Sequence, residues 1–289
     1  MTYDDIRLSD NLYQKSTRFV YELIQNAEDN IYDTAKEEGE LPALSFTLSK
    51  DKIVIDSNEN GFSAANVTAI CRVGESTKTN IHGYIGEKGI GFKSVFKIAR
   101  RVHVQSEQYS FAFDYNHDLP DGGLGMVTPL PEEYFQLPDG IRTRMILSLR
   151  ADCNRDDLFH EFNNLPDTFL LFLDKLKKLS LRIERPGEDP VEKVYTISTE
   201  NKRATITKAV GGVEDHFYFW VARTPVENMP KDDKRVIKKD GQIVQWITKA
   251  DVVLALQLDK DDVPIADPQH VFAFLPLRKV GFKVFLRIY

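Results

Sequence analysis

Cysteine is scarce in this chain: Cys71 and Cys153 are the two among 289 residues. Two cannot assemble a metal-binding cluster, and they read as unpaired thiols of a reducing compartment. No apolar run approaches the ~20 residues of a membrane span, and the first thirty residues hold no signal-peptide core. An intracellular protein of cytoplasm or nucleus is therefore expected, without a membrane partner. A basic excess is missing too: the net charge of −6 argues against broad nucleic-acid binding, which needs a cationic face. The basic runs at residues 175–178 and 231–235 read as solvated surface, the second being interleaved with Asp232 and Asp233. Internal repeats and low-complexity tracts are absent. With 42% hydrophobic residues the chain can bury one large core or two moderate ones.

What is present is a glycine-rich loop, Gly86-Glu87-Lys88-Gly89-Ile90-Gly91-Phe92-Lys93, leading into a helix-like run at 94–99. Glycine lets the backbone approach an anion closely, and the first N–H groups of a helix supply attraction, so a phosphate chain would bind there. Lys88 and Lys93 add charge. Upstream lies an amphipathic stretch over residues 12–32. At 100° per residue, Glu22, Asn26 and Asp29 share one side of that helix, beside an apolar stripe of Phe19, Val20, Leu23, Ile24 and Ala27. Glu28 and Lys15 read as its solvated face. A carboxylate at Glu22 could orient a water, and an amide oxygen one turn on could ligate Mg²⁺, which takes oxygen ligands and keeps several waters. Between these segments a β-branched strand, Ile53-Val54-Ile55-Asp56, breaks into the turn Ser57-Asn58-Glu59-Asn60-Gly61-Phe62. A helix follows that Ser63 can cap, with Val67, Ile70 and Val73 facing inward.

In this order, Glu-x-x-x-Asn-Ala-x-Asp, a strand ending in Asn-Glu-Asn-Gly-Phe, and Gly-x-x-Gly-x-Gly-Phe resemble the ATP-binding domain shared by heat-shock-ninety chaperones, DNA gyrase B subunits, histidine kinases and MutL. Within that superfamily the wording is most similar to the NO VEIN family and more distantly to sacsin repeats. Residues 23–30, 73–78, 84–97 and the distal Val271-Phe272-Ala273-Phe274-Leu275-Pro276-Leu277-Arg278 carry the likeness. The resemblance implies ATP and Mg²⁺ as cofactors. Glu22 corresponds to its water-activating glutamate, Asn26 to its Mg²⁺ ligand, and Asp29 to an indirect contact. Gly86, Gly89 and Gly91, with the backbone at Lys88, Ile90 and Phe92, correspond to the phosphate loop; Lys78 and Gly61 join the cofactor-binding set. Thr143 corresponds to a strand threonine near adenine. The adenine-reading turn departs from the superfamily's Asp-x-Gly-x-Gly. Counting back from Phe62 puts either Asn58 or Glu59 at the acceptor position, and Asp56 reaches it only through a bulged turn.

The resemblance also implies the architecture: an α+β, two-layer α/β sandwich of the Bergerat ATP-binding type over 1–185, then a mostly β middle-type domain over 186–289 that is expected to be incomplete. Arg185-Pro186-Gly187-Glu188-Asp189-Pro190 reads as the linker. Alternation predicts hairpins at 44–48 with 53–56 and at 102–106 with 109–115, a strand at 145–149 and a helix over 169–178. Strands are predicted at 194–198, 204–207, 217–222, 252–256 and 272–275. Arg278 and Lys279 are candidates to offer a cation to the γ-phosphate. His82, in the short lid-like stretch 79–85, reads as a lid or surface histidine rather than an acid or base. The expected function is slow Mg²⁺-dependent ATP hydrolysis driving closure in a chaperone-like or assembly role, with protein clients or self-association through the second domain. The alternative is a nucleotide-sensing or inactive protein-interaction module. A histidine kinase fits less well, since none of the six histidines sits in a recognisable dimerisation helix.

Overall fold

The structure is a computed structural model that describes residues 18–71, 92–116, 123–231, 236–239, 242–246, 248–267, 269–273, 275–279 and 283–288. Helix α1 (Arg18–Asp29) buries the predicted stripe of Phe19, Val20, Leu23, Ile24 and Ala27. A second short helix, α2 (Asp33–Glu37), leads into the hairpin of β1 (Ala43–Leu48) and β2 (Lys52–Ser57). There Leu44, Phe46 and Leu48 face Ser57, Ile55 and Ile53 across an antiparallel ladder, so one face of the pleat is apolar. Helix α3 (Ala64–Ile70) begins at Ser63, whose side chain and that of Asn66 form a reciprocal capping box. Val67 and Ile70 pack on the core as expected, and Val73 lies outside the described residues.

A 3-10 turn, Phe92–Lys97, precedes the second predicted hairpin, β3 (Ala99–Ser106) with β4 (Tyr109–Asp114). Strands β5 (Leu130–Pro131) and β6 (Thr143–Leu149) follow, then α4 (Arg155–Asn163), capped by Asn154 Oδ1 on the amides of Asp156 and Asp157. The remainder is almost wholly strand: β7 (Lys178–Ile183), β8 (Val191–Glu200), β9 (Arg203–Val210), β10 (Val213–Val226), β11 (Val236–Lys239), β12 (Gln242–Trp246), β13 (Ala250–Leu258), β14 (His270–Ala273), β15 (Leu275–Lys279) and β16 (Phe285–Ile288). No helix among the described residues is long and apolar enough to cross a membrane.

The expected two-layer α/β sandwich is overturned. All strands but β11 and β12, which form their own ribbon, join one mixed sheet of fourteen in the order β15-β14-β16-β13-β10-β9-β8-β7-β1-β2-β6-β3-β4-β5, and among the described residues helices are few and short. The physical reason lies at the presumed linker. Its prolines and Gly187 (φ +79) make the loop of a β7–β8 hairpin, in which Ile183 pairs with Val191. Hydrogen bonding thus runs unbroken from β1, parallel to β7, into β8 and beyond, and the division expected at residue 185 falls inside this hairpin. The expected helix at 169–178 is also absent: a 3-10 turn, Phe169–Phe172, is followed by a bend at 174–175 before β7.

The helices cover the β1–β7 part of the sheet. Phe162 of α4 touches Phe19 of α1 and Phe46 of β1, with ring centroids 6.4 and 5.8 Å apart. At the far end, Phe172 meets Phe272 of β14 at 4.6 Å, and Phe272 in turn meets Phe285 of β16 at 6.1 Å.

Candidate functional site

Three strands end together where the turn expected to read adenine begins. The registers pair Ser57 at the end of β2 with Thr143 of β6, and Thr143 with Ser106 of β3. Thr143 Oγ1 and Ser106 Oγ lie 2.6 Å apart, and Ser106 Oγ accepts the amide of Phe62 at 2.8 Å. Thr143 is 2% exposed and Ser106 fully buried. This chain of hydroxyls fixes the exit of the turn on the sheet. Its entry is fixed by Ser57, whose Oγ accepts the Glu59 amide at 3.2 Å and sits 3.5 Å from the Tyr32 hydroxyl. Tyr32 donates to the carbonyl of Ala27 in α1. Asn60 completes the tie: its amide donates to Ile31 and its side chain accepts from the Thr34 amide. The turn is thus lashed to the C-terminal end of the helix that carries Glu22, Asn26 and Asp29.

Gly61 holds the turn's reversal at φ +87, and a Cβ there would run into Glu107 Cγ, itself in a left-handed residue (φ 48) of the β3–β4 turn. Because an L side chain strains the left-handed region by about 1–2 kcal/mol, Gly61→Ala is expected to lower stability by that amount, Glu107 swinging aside to relieve contact. A urea midpoint equal to wild type would show that the turn relaxes freely.

The three adenine-acceptor candidates differ sharply. Asn58 is a structural clasp: its Oδ1 accepts the Ala43 amide at 2.8 Å and its Nδ2 donates to the Leu41 carbonyl at 2.9 Å, fastening the start of β1. Asp56 makes a two-pronged ion pair with Arg144 at 2.6 and 2.7 Å across β2 and β6. Glu59 is buried, at 4% exposure. On α1, Glu22 and Asn26 are half-buried on one side, and Asp29 is buried near the helix end.

Glu28, expected on the solvated face, is 5% exposed. Its carboxylate accepts the backbone amides of Asp174, Lys175 and Leu176 at 2.8–3.2 Å. Burial pushes its carboxyl pKa up, and those amides pull it back. Lys175, also expected in solvent, donates to the carbonyls of Asp29 and Asn30 and so closes the helix C-terminus.

Lys78, Gly86, Lys88, Gly89, Ile90 and Gly91, with His82, lie outside the described residues. Phe92 is described: it is buried at the start of the 3-10 turn that packs against α1, facing the ring of Phe113. The helix-like run expected at 94–99 is this 3-10 turn over Phe92–Lys97, and β3 starts at Ala99. Lys93 does not offer its charge outward; its Nζ donates to the carbonyls of Ile70, at 2.7 Å, and Met126. Arg278 and Lys279 sit on the edge strand β15, where Arg278 pairs with Val271. Ser57, Ser106 and Tyr32 are the residues that sequence reasoning passed over. Their spacing carries no motif, and only the strand registers bring them together.

Two comparisons bear on this arrangement. The sequence matches the family described as "Sacsin domain" over residues 7–120, which takes in α1, the turn at 57–62 and the glycine-rich motif. It is 31% identical over 303 residues to Protein NO VEIN of Arabidopsis thaliana, an alignment covering 97% of this chain and 10% of that protein. The chain thus spans about a tenth of the length of the curated relative it matches. Together the likeness of residues 7–120 and the likeness of nearly the whole chain link this protein to the NO VEIN/sacsin family.

Proposed function

We propose that this chain binds Mg²⁺·ATP and hydrolyses it slowly, the change of nucleotide state driving closure of a larger assembly with protein clients. The observation that carries the reading is the lashing of the Asn60–Phe62 turn to Ser106, itself bonded to Thr143, on one side and to Ile31 and Thr34, just after α1, on the other. A rigid polar turn beside a helix bearing a carboxylate and an amide is what a base-and-phosphate ligand needs. A side chain of that turn, Asn58 or Glu59, takes the role of base acceptor. Among the described residues no three His, Cys, Asp or Glu side chains gather to hold a metal ion. A single amide oxygen, Asn26, suits Mg²⁺, whose remaining ligands are water and phosphate oxygens. Mg²⁺, when bound, neutralises charge on the phosphates. Glu22, one helical turn before Asn26, takes a proton from the attacking water.

Calorimetric titration with Mg²⁺·ATP and single-turnover hydrolysis test this. Glu22→Ala should still bind ATP while hydrolysis falls by about 10²-fold or more. Asn26→Ala should weaken binding of Mg²⁺·ATP itself. Wild-type protein that fails to bind the nucleotide would favour the second reading, a protein-interaction module, for which the commitment of Asn58 and Asp56 to structural partners already speaks.

A further inference from the structure

Strand β5 is the last at one edge of the sheet, and Pro129 and Pro131 bracket its Leu130. Proline has no N–H to offer, so this edge resists extension by a further strand. Beyond β5 the chain runs on as a strap over β4 and β3. The Glu132 amide donates to the carbonyl of Ser110 at 3.1 Å, and the Ser110 hydroxyl donates to the carbonyl of Glu133 at 3.0 Å. Gln105, fully buried in β3, then grips the backbone of Phe135 twice: its Oε1 accepts the Phe135 amide at 3.2 Å, and its Nε2 donates to the Phe135 carbonyl at 2.5 Å. These bonds hold main chain and leave side chains outside. Tyr134 is 60% exposed, Leu130 43% and Phe135 36%, the Phe135 ring also resting against His103 at 5.6 Å. Apolar groups on a segment fixed in this way lose little freedom on binding.

The charge around them has one sign. Residues 129–139 carry Glu132, Glu133 and Asp139 and no lysine or arginine. Arg101 touches the strap, but it is paired with both Asp114 and Glu132. Burial pulls the His103 pKa below its ordinary value, so that ring brings no cation at neutral pH. Glu133 and Asp139 are exposed, one on each side of Tyr134 and Phe135 along the chain.

We propose that this strap is a docking surface for an arginine-bearing basic segment of a partner protein. A guanidinium lies flat on an aromatic ring and forks onto a carboxylate, so Tyr134 and Phe135 with Glu133 and Asp139 supply both halves of what it needs. An acidic partner or a nucleic acid meets like charge here. The inference is independent of the nucleotide reading.

A fluorophore-labelled hexa-arginine peptide, titrated with the full chain and followed by anisotropy, tests it. Tyr134→Ala should bind at least ~10-fold more weakly, whereas Tyr134→Phe, which keeps the ring, should bind as wild type does. Glu133→Lys should also lose at least ~10-fold, while Glu214→Lys, the same change of charge at an exposed position of β10, should lose less than ~2-fold. Hexa-lysine, equal in charge, should bind at least ~5-fold more weakly than hexa-arginine. Wild type that binds no hexa-arginine overturns the proposal, as does unchanged affinity in Tyr134→Ala. Equal losses in Glu133→Lys and Glu214→Lys, or equal affinity for the two peptides, reduce the attraction to net charge and overturn it too.

Discussion

Replacing Glu28 by Ala is expected to lower the free energy of unfolding by about 3–5 kcal/mol, since each buried N–H left without an acceptor costs about 1–3 kcal/mol. The carboxylate serves the amides of three consecutive residues, Asp174, Lys175 and Leu176. The Leu176 amide cannot turn to water while the surrounding core stays closed, Leu176 itself being fully buried. Glu28→Gln keeps one acceptor oxygen and should lose roughly half as much. Chemical denaturation of the two variants checks the order. An Ala variant as stable as wild type would mean that the 174–176 backbone finds other partners, and the account of why no helix forms there would fall with it.

The second large effect is expected at Phe272, fully buried where β14 meets the rest of the molecule. Phe272→Ala should destabilise by about 3–5 kcal/mol, the usual loss when a core aromatic is cut back. It removes the ring contacts to both Phe172, before β7, and Phe285, in β16. Because the sheet is continuous across the β7–β8 hairpin, loss should appear in a single cooperative unfolding transition followed by fluorescence and by circular dichroism. Two separated transitions, with only the later one shifted, would show that the C-terminal strands melt as an independent unit.

Local signals in the sequence served well where neighbours along the chain decide the outcome. The alternation of Leu44, Phe46 and Leu48, the Ser63 cap and the β3–β4 hairpin depend on contacts within a few residues, and each stands where the pattern put it. Distant partners were invisible. Glu28 looks like a solvated residue on a helical wheel because the wheel cannot show a loop arriving from 146 positions away. The run at 169–178 has helix-forming residues, but Glu28 captures the amides of 174–176 and the chain bends there instead. Proline and glycine at 186–190 mark a reversal equally in a linker and in a hairpin, and strand pairing on both sides is what separates the two. In that turn the positive φ of Gly61 was legible from its place in the sequence, whereas the clasp of Asn58 on the start of β1 was not, because its partners come into reach only through the fold. Ser106 carried no signal in the sequence at all, lying mid-chain with no motif around it.

The parallel pairing of β1 with β7 has a kinetic consequence. On the ribosome, the β1–β2 hairpin can close early, but the open edge of β1 must wait for β7, and the loop that docks on Glu28 lies 146 residues later than that carboxylate. At ~5–20 residues per second, synthesis of that length takes roughly 7–30 s. For that time an apolar strand edge stands unpaired, the kind of surface that nucleates aggregation. Yield of folded protein should therefore depend on holding the nascent chain apart from its neighbours until residue 183 has emerged.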